Sequence, residues 1–332
     1  MKQHVHVLSD FDDLWIQQLA SELDNNTTLS HGKEIPIPDD CHVLVAGLPT
    51  REQITSCHNL HSLIIPWSGL PKATRELMLD LPHIAIYNLH HNAAAVAEHA
   101  VALMLAASKS IVPIDRRLRQ NDWTPRYEPS SSPLLEKKTA LILGYGAIGR
   151  RIARACAGLG MEVHAVKRNF KGIDDPTTSL APLGIPQLHD SRSMNDYLPQ
   201  AAALFVCLPL SPATEGLIGE HELSLLPDDS IVINIARGRV IDEAALYRAL
   251  KSGRIRAGLD TWYLYPQDES SRSDQPPSEF AFHELENVVM TPHLAGHCSD
   301  IETHRIQALA RLLNRLADGH PLPDRVDPER GY

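Results

Sequence analysis

Thr139-Ala140-Leu141-Ile142-Leu143-Gly144-Tyr145-Gly146-Ala147-Ile148-Gly149 is the stretch on which the fold turns. Five residues without a charge read as a buried strand, a G-x-G-x-x-G turn follows at once, and the amphipathic AIGRRIARACAGLG opens behind it. Glycine-rich turns are common, so the turn alone decides little. A strand before it and a helix after it are what a dinucleotide-binding turn requires. Gly144 permits the tight turn, Gly146 lets the backbone approach a pyrophosphate, and Gly149 lets the helix lie close on the strand. With Tyr145, Ala147 and Ile148 these residues form the candidate phosphate cradle, because a helix N-terminus offers N–H groups and a partial positive charge.

Outward from this turn the same alternation continues in both directions. Downstream, strand-like runs lie at 140–143, 162–166, 204–208, 231–235, 257–260 and 288–290. Upstream they lie at 4–8, 43–46, 63–66 and 84–87, separated by stretches of helical spacing at 14–23, 51–57 and 72–79. Such βαβ series make parallel sheets with helices on both faces. The expectation is an α/β chain of two doubly wound parallel-sheet domains, Rossmann-like and flavodoxin-like, with a cleft between them. Residues 1–105 and 299–332 are assigned to a substrate-binding domain and 106–298 to an NAD(P)-binding one. A long helix at 93–119 and another at 299–316 are the expected crossings. The polar, Pro- and Ser-rich stretches at 121–133 and 266–279 read as a surface connection and a loop.

Composition excludes several classes of partner. The 332 residues suffice for two cores, and 43% hydrophobic with 22% charged residues is ordinary for a globular chain. Lys and Arg total 31 against 41 Asp and Glu, a net charge of -10 that argues against nucleic acid and anionic membrane surfaces. Five scattered cysteines without CxxC spacing argue against a disulfide framework and a zinc site, so no metal is expected. The N-terminal MKQHVHVLSDFDD lacks the apolar core of a secretory peptide, and the apolar run at 93–107 is broken by Glu98 and His99. A cytoplasmic protein is expected.

The strand after the glycine turn ends in Lys167-Arg168-Asn169 rather than in an acid. An acid there would repel a ribose 2′-phosphate, whereas Lys and Arg bind one, so NADP(H) is favoured over NAD(H).

Further on stand Asn234-Ile235-Ala236-Arg237-Gly238-Arg239-Val240-Ile241-Asp242 and Thr291-Pro292-His293-Leu294-Ala295-Gly296. They resemble the NxxRGxxVD and TPHxxG signatures of the D-2-hydroxyacid dehydrogenases, of the glyoxylate/hydroxypyruvate reductase kind. Leu259-Asp260-Thr261-Trp262 resembles that family's LDVF strand end, Cys207-Leu208-Pro209-Leu210 its LPLT turn, and Val96-Ala97-Glu98-His99 its VAEH helix. The likeness runs in consistent order from about residue 60 to 310.

The resemblance implies a hydride transfer between a nicotinamide and C2 of a small 2-keto or 2-hydroxy acid. Arg237 would bind and polarise the substrate, since a guanidinium is permanently charged and can bond in two places at once. His293 would be the acid–base group, since its pKa lies near neutrality. It also implies that Leu208, Pro209, Thr214, Ile235, Ala236 and Asp260 line the cofactor. The substrate carboxylate would meet the turn Trp67-Ser68-Gly69-Leu70 and Asn92, with Trp67, His90 and His91 as candidate pocket walls. Homodimers are the implied assembly.

One position departs from the pattern. Most relatives carry a glutamate before the proline that follows the LDVF strand, where it keeps the catalytic histidine protonated. Here Tyr265 precedes Pro266. A neutral phenol supplies no charge, so the proton affinity of His293 should fall. The alternatives are a non-catalytic NAD(P)-sensing binder of the same fold, or a dehydrogenase oxidising formate or phosphite.

Overall fold

The computed structural model describes residues 2–8, 11–33, 37–129, 132–168, 187–320, 322 and 325–331. In chain order the strands and α-helices are β1 (Gln3–Val7), α1 (Asp13–Ser21), β2 (Thr27–His31), β3 (Val43–Val45), α2 (Arg51–Thr55), β4 (Ser62–Ile65), α3 (Lys72–Leu79) and β5 (Ala85–Asn88). There follow α4 (Ala93–Ser108), α5 (Ile111–Leu118), β6 (Thr139–Leu143), α6 (Gly149–Gly158), β7 (Glu162–Lys167), β8 (Gln187–Asp190), α7 (Met194–Tyr197), β9 (Ala201–Val206) and α8 (Glu220–Leu225). The rest are β10 (Ile231–Asn234), α9 (Glu243–Lys251), β11 (Arg256–Leu259), β12 (Val288–Met290), α10 (Ile301–Ala317) and β13 (Arg325–Val326).

The chain divides into two compact units, Met1–Asn92 with Cys298–Tyr332, and Ala93–His297. The first unit holds a six-stranded sheet in the order β13-β5-β4-β3-β1-β2, parallel except for the short antiparallel β13. One face packs Val5, Val7, Val43, Val45 and Ile64 against α1 and α10; the other packs Leu44, Leu63, Ile65 and Ile86 against Ile54 and Met78 of α2 and α3. The second unit holds an all-parallel sheet in the order β12-β11-β10-β9-β6-β7-β8, with separate apolar clusters on its two faces. Both sheets are therefore doubly wound, as the βαβ alternation implies. In the second, the strand order reverses between β6 and β9, which makes that edge the place where open α/β sheets bind ligands.

Three local features differ from the sequence expectation. The helix expected at 93–119 is two helices, α4 and α5, meeting at 64°. Ser110 sits between them with φ 50, and Pro113 falls in the first turn of α5, where its missing N–H does no harm. All of α4 belongs to the second unit, so the first passage between units lies at Asn92–Ala93 rather than near residue 105. The stretch 266–279 is not featureless. It contains a 3-10 turn at Ser270–Ser273, and Glu243 grips it by accepting from the Ser278 hydroxyl and the Glu279 N–H. Among the described residues no single helix is long and apolar enough to cross a membrane.

Candidate active site

The glycine turn follows β6 at the point of reversal. Gly144 has φ +99, and a Cβ there would fall 2.7 Å from the Cys207 carbonyl oxygen of the turn after β9. At Gly149 a Cβ would fall 2.0 Å from the Gly144 carbonyl oxygen, so only glycine lets α6 start this close to the strand. At Gly146, by contrast, a Cβ would meet nothing within 4 Å. The first and third glycines serve packing, and the second borders open space large enough for a group to approach the backbone. No side chain caps the start of α6. Ala147 and Ile148 form the turn that leads into that helix, while Tyr145 is buried in the core, which pushes its phenol ionisation up.

Lys167 closes β7, half-buried, and Arg168 follows, exposed. Asn169 lies outside the described residues. Leu208 lines the Gly144 contact, and Thr214 closes its own turn by donating to the Pro209 carbonyl at 2.6 Å while accepting from the Ser211 N–H at 2.8 Å.

Arg237 is set by the end of β10. Asn234, 1% exposed, accepts the Ala236 N–H through Oδ1 and donates through Nδ2 to the Arg237 carbonyl, folding the chain into a tight turn. Ile235 and Ala236 are buried within it. Gly238 is obligatory, since a Cβ there would fall 2.3 Å from the Trp262 carbonyl oxygen. The result is an exposed guanidinium, with Nη1 donating to the Ala236 carbonyl at 2.7 Å.

His293 is set by the neighbouring strand ends. Asn234 pairs with Leu259 and Leu259 with Met290, so the residues after β10, β11 and β12 emerge side by side. Asp260, fully buried, follows β11; its Oδ1 accepts the Leu294 N–H at 2.8 Å and its Oδ2 the Ala295 N–H at 3.0 Å. Asp260 therefore grips the backbone on the far side of His293. His293 itself has φ 58, a left-handed conformation that a branched or bulky residue keeps only where its surroundings hold it.

Tyr265 reaches this imidazole. Its hydroxyl lies 3.0 Å from His293 Nδ1 and accepts the Trp262 N–H at 3.0 Å. Loss of hydration lowers the His293 pKa, Arg237 lowers it further, and Asp260 opposes both. Burial pushes the Tyr265 phenol up, so the partner stays neutral.

The remaining sequence candidates lie in the first unit. Trp67, Ser68 and Gly69 share the turn after β4; the outer edge of the Trp67 indole packs against Gly47, where a Cβ would sit 1.7 Å from its ring. Asn88 pins that turn by donating to the Ser68 carbonyl at 2.7 Å. Asn92 ends the unit, and its Oδ1 is buried without a hydrogen-bond partner among the described residues. Next to it, burial and the Arg305 charge push the His91 imidazole down to about 4.

Residues 101–295 match the model of the NAD-binding domain of D-isomer specific 2-hydroxyacid dehydrogenases. The chain belongs to this family. Among its dehydrogenase relatives, the D-3-phosphoglycerate dehydrogenase of Archaeoglobus fulgidus is 32% identical over 240 residues, covering 71% of this chain and 41% of that protein. The glyoxylate reductase of Pyrococcus furiosus is 30% identical over 241 residues, covering 71% of this chain and 66% of that one. The chain thus spans about two fifths of the length of the Archaeoglobus fulgidus and Mycobacterium bovis D-3-phosphoglycerate dehydrogenases it matches. In structure it is similar throughout to the D-isomer specific 2-hydroxyacid dehydrogenase of Xanthobacter autotrophicus, described in complex with NADPH and MES, with a TM-score of 0.79, 23% identity and full coverage of both chains. That likeness is one of fold.

Three supports of the dehydrogenase-family signatures show only in the structure. Asn234 and Thr291 open the two motifs, yet their letters alone do not say that one folds the Arg237 turn and the other donates to Asp260. His99 closes the VAEH stretch, and only the fold brings it to Thr291.

Proposed function

We propose that the chain is an NADP(H)-dependent reductase of small 2-keto acids, acting in reverse on 2-hydroxy acids. The observation that carries the reading is a guanidinium and an imidazole on the ends of β10 and β12, the two strands that flank β11, with the charge of Arg237 depressing the proton affinity of His293. The name of the Pyrococcus furiosus relative and the NADPH in the Xanthobacter autotrophicus complex support it.

The glycine turn suits a dinucleotide: two glycines are consumed by backbone contacts and the third borders open space. Its residues would hold the pyrophosphate, Lys167 and Arg168 the 2′-phosphate, and Leu208, Pro209, Thr214, Ile235, Ala236 and Asp260 would line the remainder. The bound cofactor would supply hydride to the keto carbon. Arg237 would hold the carboxylate and draw charge onto the keto oxygen. The His293 imidazolium would give its proton to that oxygen as negative charge builds there. Amides of the Trp67–Gly69 turn and Asn92 would orient the acid.

NADPH oxidation measured against glyoxylate, hydroxypyruvate and larger 2-keto acids tests the reading, and turnover of at least one is expected. Tight NADPH binding without turnover on any of them would overturn it in favour of a cofactor-sensing binder. Reduction of NADP by formate or phosphite would instead mark an oxidising enzyme.

Coenzyme choice has its own test. Arg168→Asp places a negative charge where a 2′-phosphate is expected, and it should raise KM for NADPH about tenfold more than KM for NADH. Equal effects on both would remove Arg168 from the phosphate site.

A further inference from the structure

The two segments by which the chain passes between its units are tied together inside the second. α4 begins at Ala93, the first residue of that unit, and the last segment leaves it at His297. On the second turn of α4, His99 places Nε2 2.9 Å from the Thr291 hydroxyl and 3.6 Å from Asp260 Oδ1. The Thr291 hydroxyl donates to that same Oδ1 at 2.7 Å.

The protons on this relay can be assigned. Thr291 has one hydroxyl proton, and it goes to the carboxylate, so toward His99 the hydroxyl oxygen can only accept. His99 Nε2 must therefore carry the hydrogen. The hydrogen bonds then run in one direction, from His99 to Thr291 to Asp260, whose two oxygens also hold the Leu294 and Ala295 N–H groups. Between these amides and Thr291 lies His293 with its left-handed backbone. Such a conformation persists only where neighbours over-determine it. The Trp262 indole adds one further tie, donating to the Thr291 carbonyl at 2.9 Å.

We propose that His99 is a positioning residue for His293: through Thr291 and Asp260 it fixes the turn that presents the imidazole and joins both inter-unit segments to one carboxylate. The side chain type fits the task. Lys or Arg would also donate, but each would bring a permanent charge beside Asp260 and weaken the field that supports a proton on His293. An imidazole can donate while neutral. The proposal rests on the reading of His293 as the acid–base group.

The test compares His99→Leu, which removes the donor, with His99→Gln, which keeps an N–H at similar reach. The first readout is the NMR titration of the His293 ring in cofactor-free protein, where Arg237, Asp260, His297 and Tyr265 are the groups acting on it. The second is the pH profile of keto-acid reduction. His99→Leu should move the His293 midpoint downward and lower kcat about tenfold without changing KM for NADPH, since a small misplacement of a reacting group is felt mainly in the chemical step. His99→Gln should restore both to within about threefold.

Should the leucine variant not fold, the near-isosteric Thr291→Val breaks the same relay and is read the same way. A parent-like His293 titration in whichever of these folds overturns the proposal. If the parent turns over no keto acid but the His293 titration still moves in His99→Leu, the functional reading fails and the positioning role stands.

Discussion

Arg237→Gln is expected to lower kcat/KM for any 2-keto acid the protein reduces by about a thousandfold, or about 4 kcal/mol of transition-state stabilisation. The size follows from what the guanidinium would do twice over. It would hold the carboxylate in the ground state, and it would face the keto oxygen as that oxygen becomes an alkoxide. Only the second interaction strengthens on the way to the transition state, so both kcat and KM should suffer. Glutamine retains an N–H donor but no charge, which isolates the charge as the cause. Arg237→Lys restores the charge without the two-pronged geometry and should recover only part of the loss. The fold should tolerate both changes, because the turn is shaped by the Asn234 side chain and by Gly238 rather than by the Arg237 side chain. Steady-state kinetics with a thermal melt decide the matter. A loss below tenfold in folded protein would mean that Arg237 does not meet the substrate.

The parts of this molecule that could be read from sequence are those where a single backbone constraint selects a residue type. Gly144, Gly149 and Gly238 each have a carbonyl oxygen within 3 Å of where a Cβ would stand, and each is a fixed letter of a motif. The stretches around Arg237 and His293 stand out in the sequence because Gly238 follows the first and Pro292 precedes the second. Edge structure was not legible. β2, with the sequence TTLSH, and β8, QLHD, are half-exposed edge strands whose polar residues carry little of the apolar signal that marks a buried strand. The break at Ser110 was hidden because Pro113 falls in a helical first turn, where it signals a start as readily as an end. Asp260 illustrates a different limit. Its motif letter suggests a place along the cofactor but not that both its oxygens receive amides of the His293 turn, 34 and 35 residues away. His99 and Thr291 are 192 residues apart, and nothing local in either segment announces the other.

Tyr265→Glu should move the pH profile of keto-acid reduction upward by one unit or more, raising the rate on the alkaline side at least tenfold. The hydrogen bonds of Tyr265 show why. Its oxygen already accepts the Trp262 N–H, so its own proton can go to His293 Nδ1. That arrangement suits a neutral imidazole with its hydrogen on Nε2. When the ring is protonated, Nδ1 becomes a donor and the phenol proton must turn away. The phenol cannot answer with a negative charge, because burial pushes its ionisation up. With Arg237 nearby and hydration reduced, the imidazolium is disfavoured on three counts, and the His293 pKa lies below its ordinary value. Reduction needs that imidazolium, so the rate should fall as pH rises through this lowered pKa. A carboxylate beside Nδ1 favours the charged ring and carries the limb to higher pH. Tyr265→Phe separates charge from hydrogen bonding: it removes the hydroxyl that favours the neutral ring but adds no charge, so its limb should rise by less than that of the glutamate variant. The same ordering should appear in the NMR midpoint of His293, highest in the glutamate variant. A glutamate variant whose profile and midpoint both match the parent would show that residue 265 does not set the proton affinity of His293, and would leave Asp260 as the carboxylate that does.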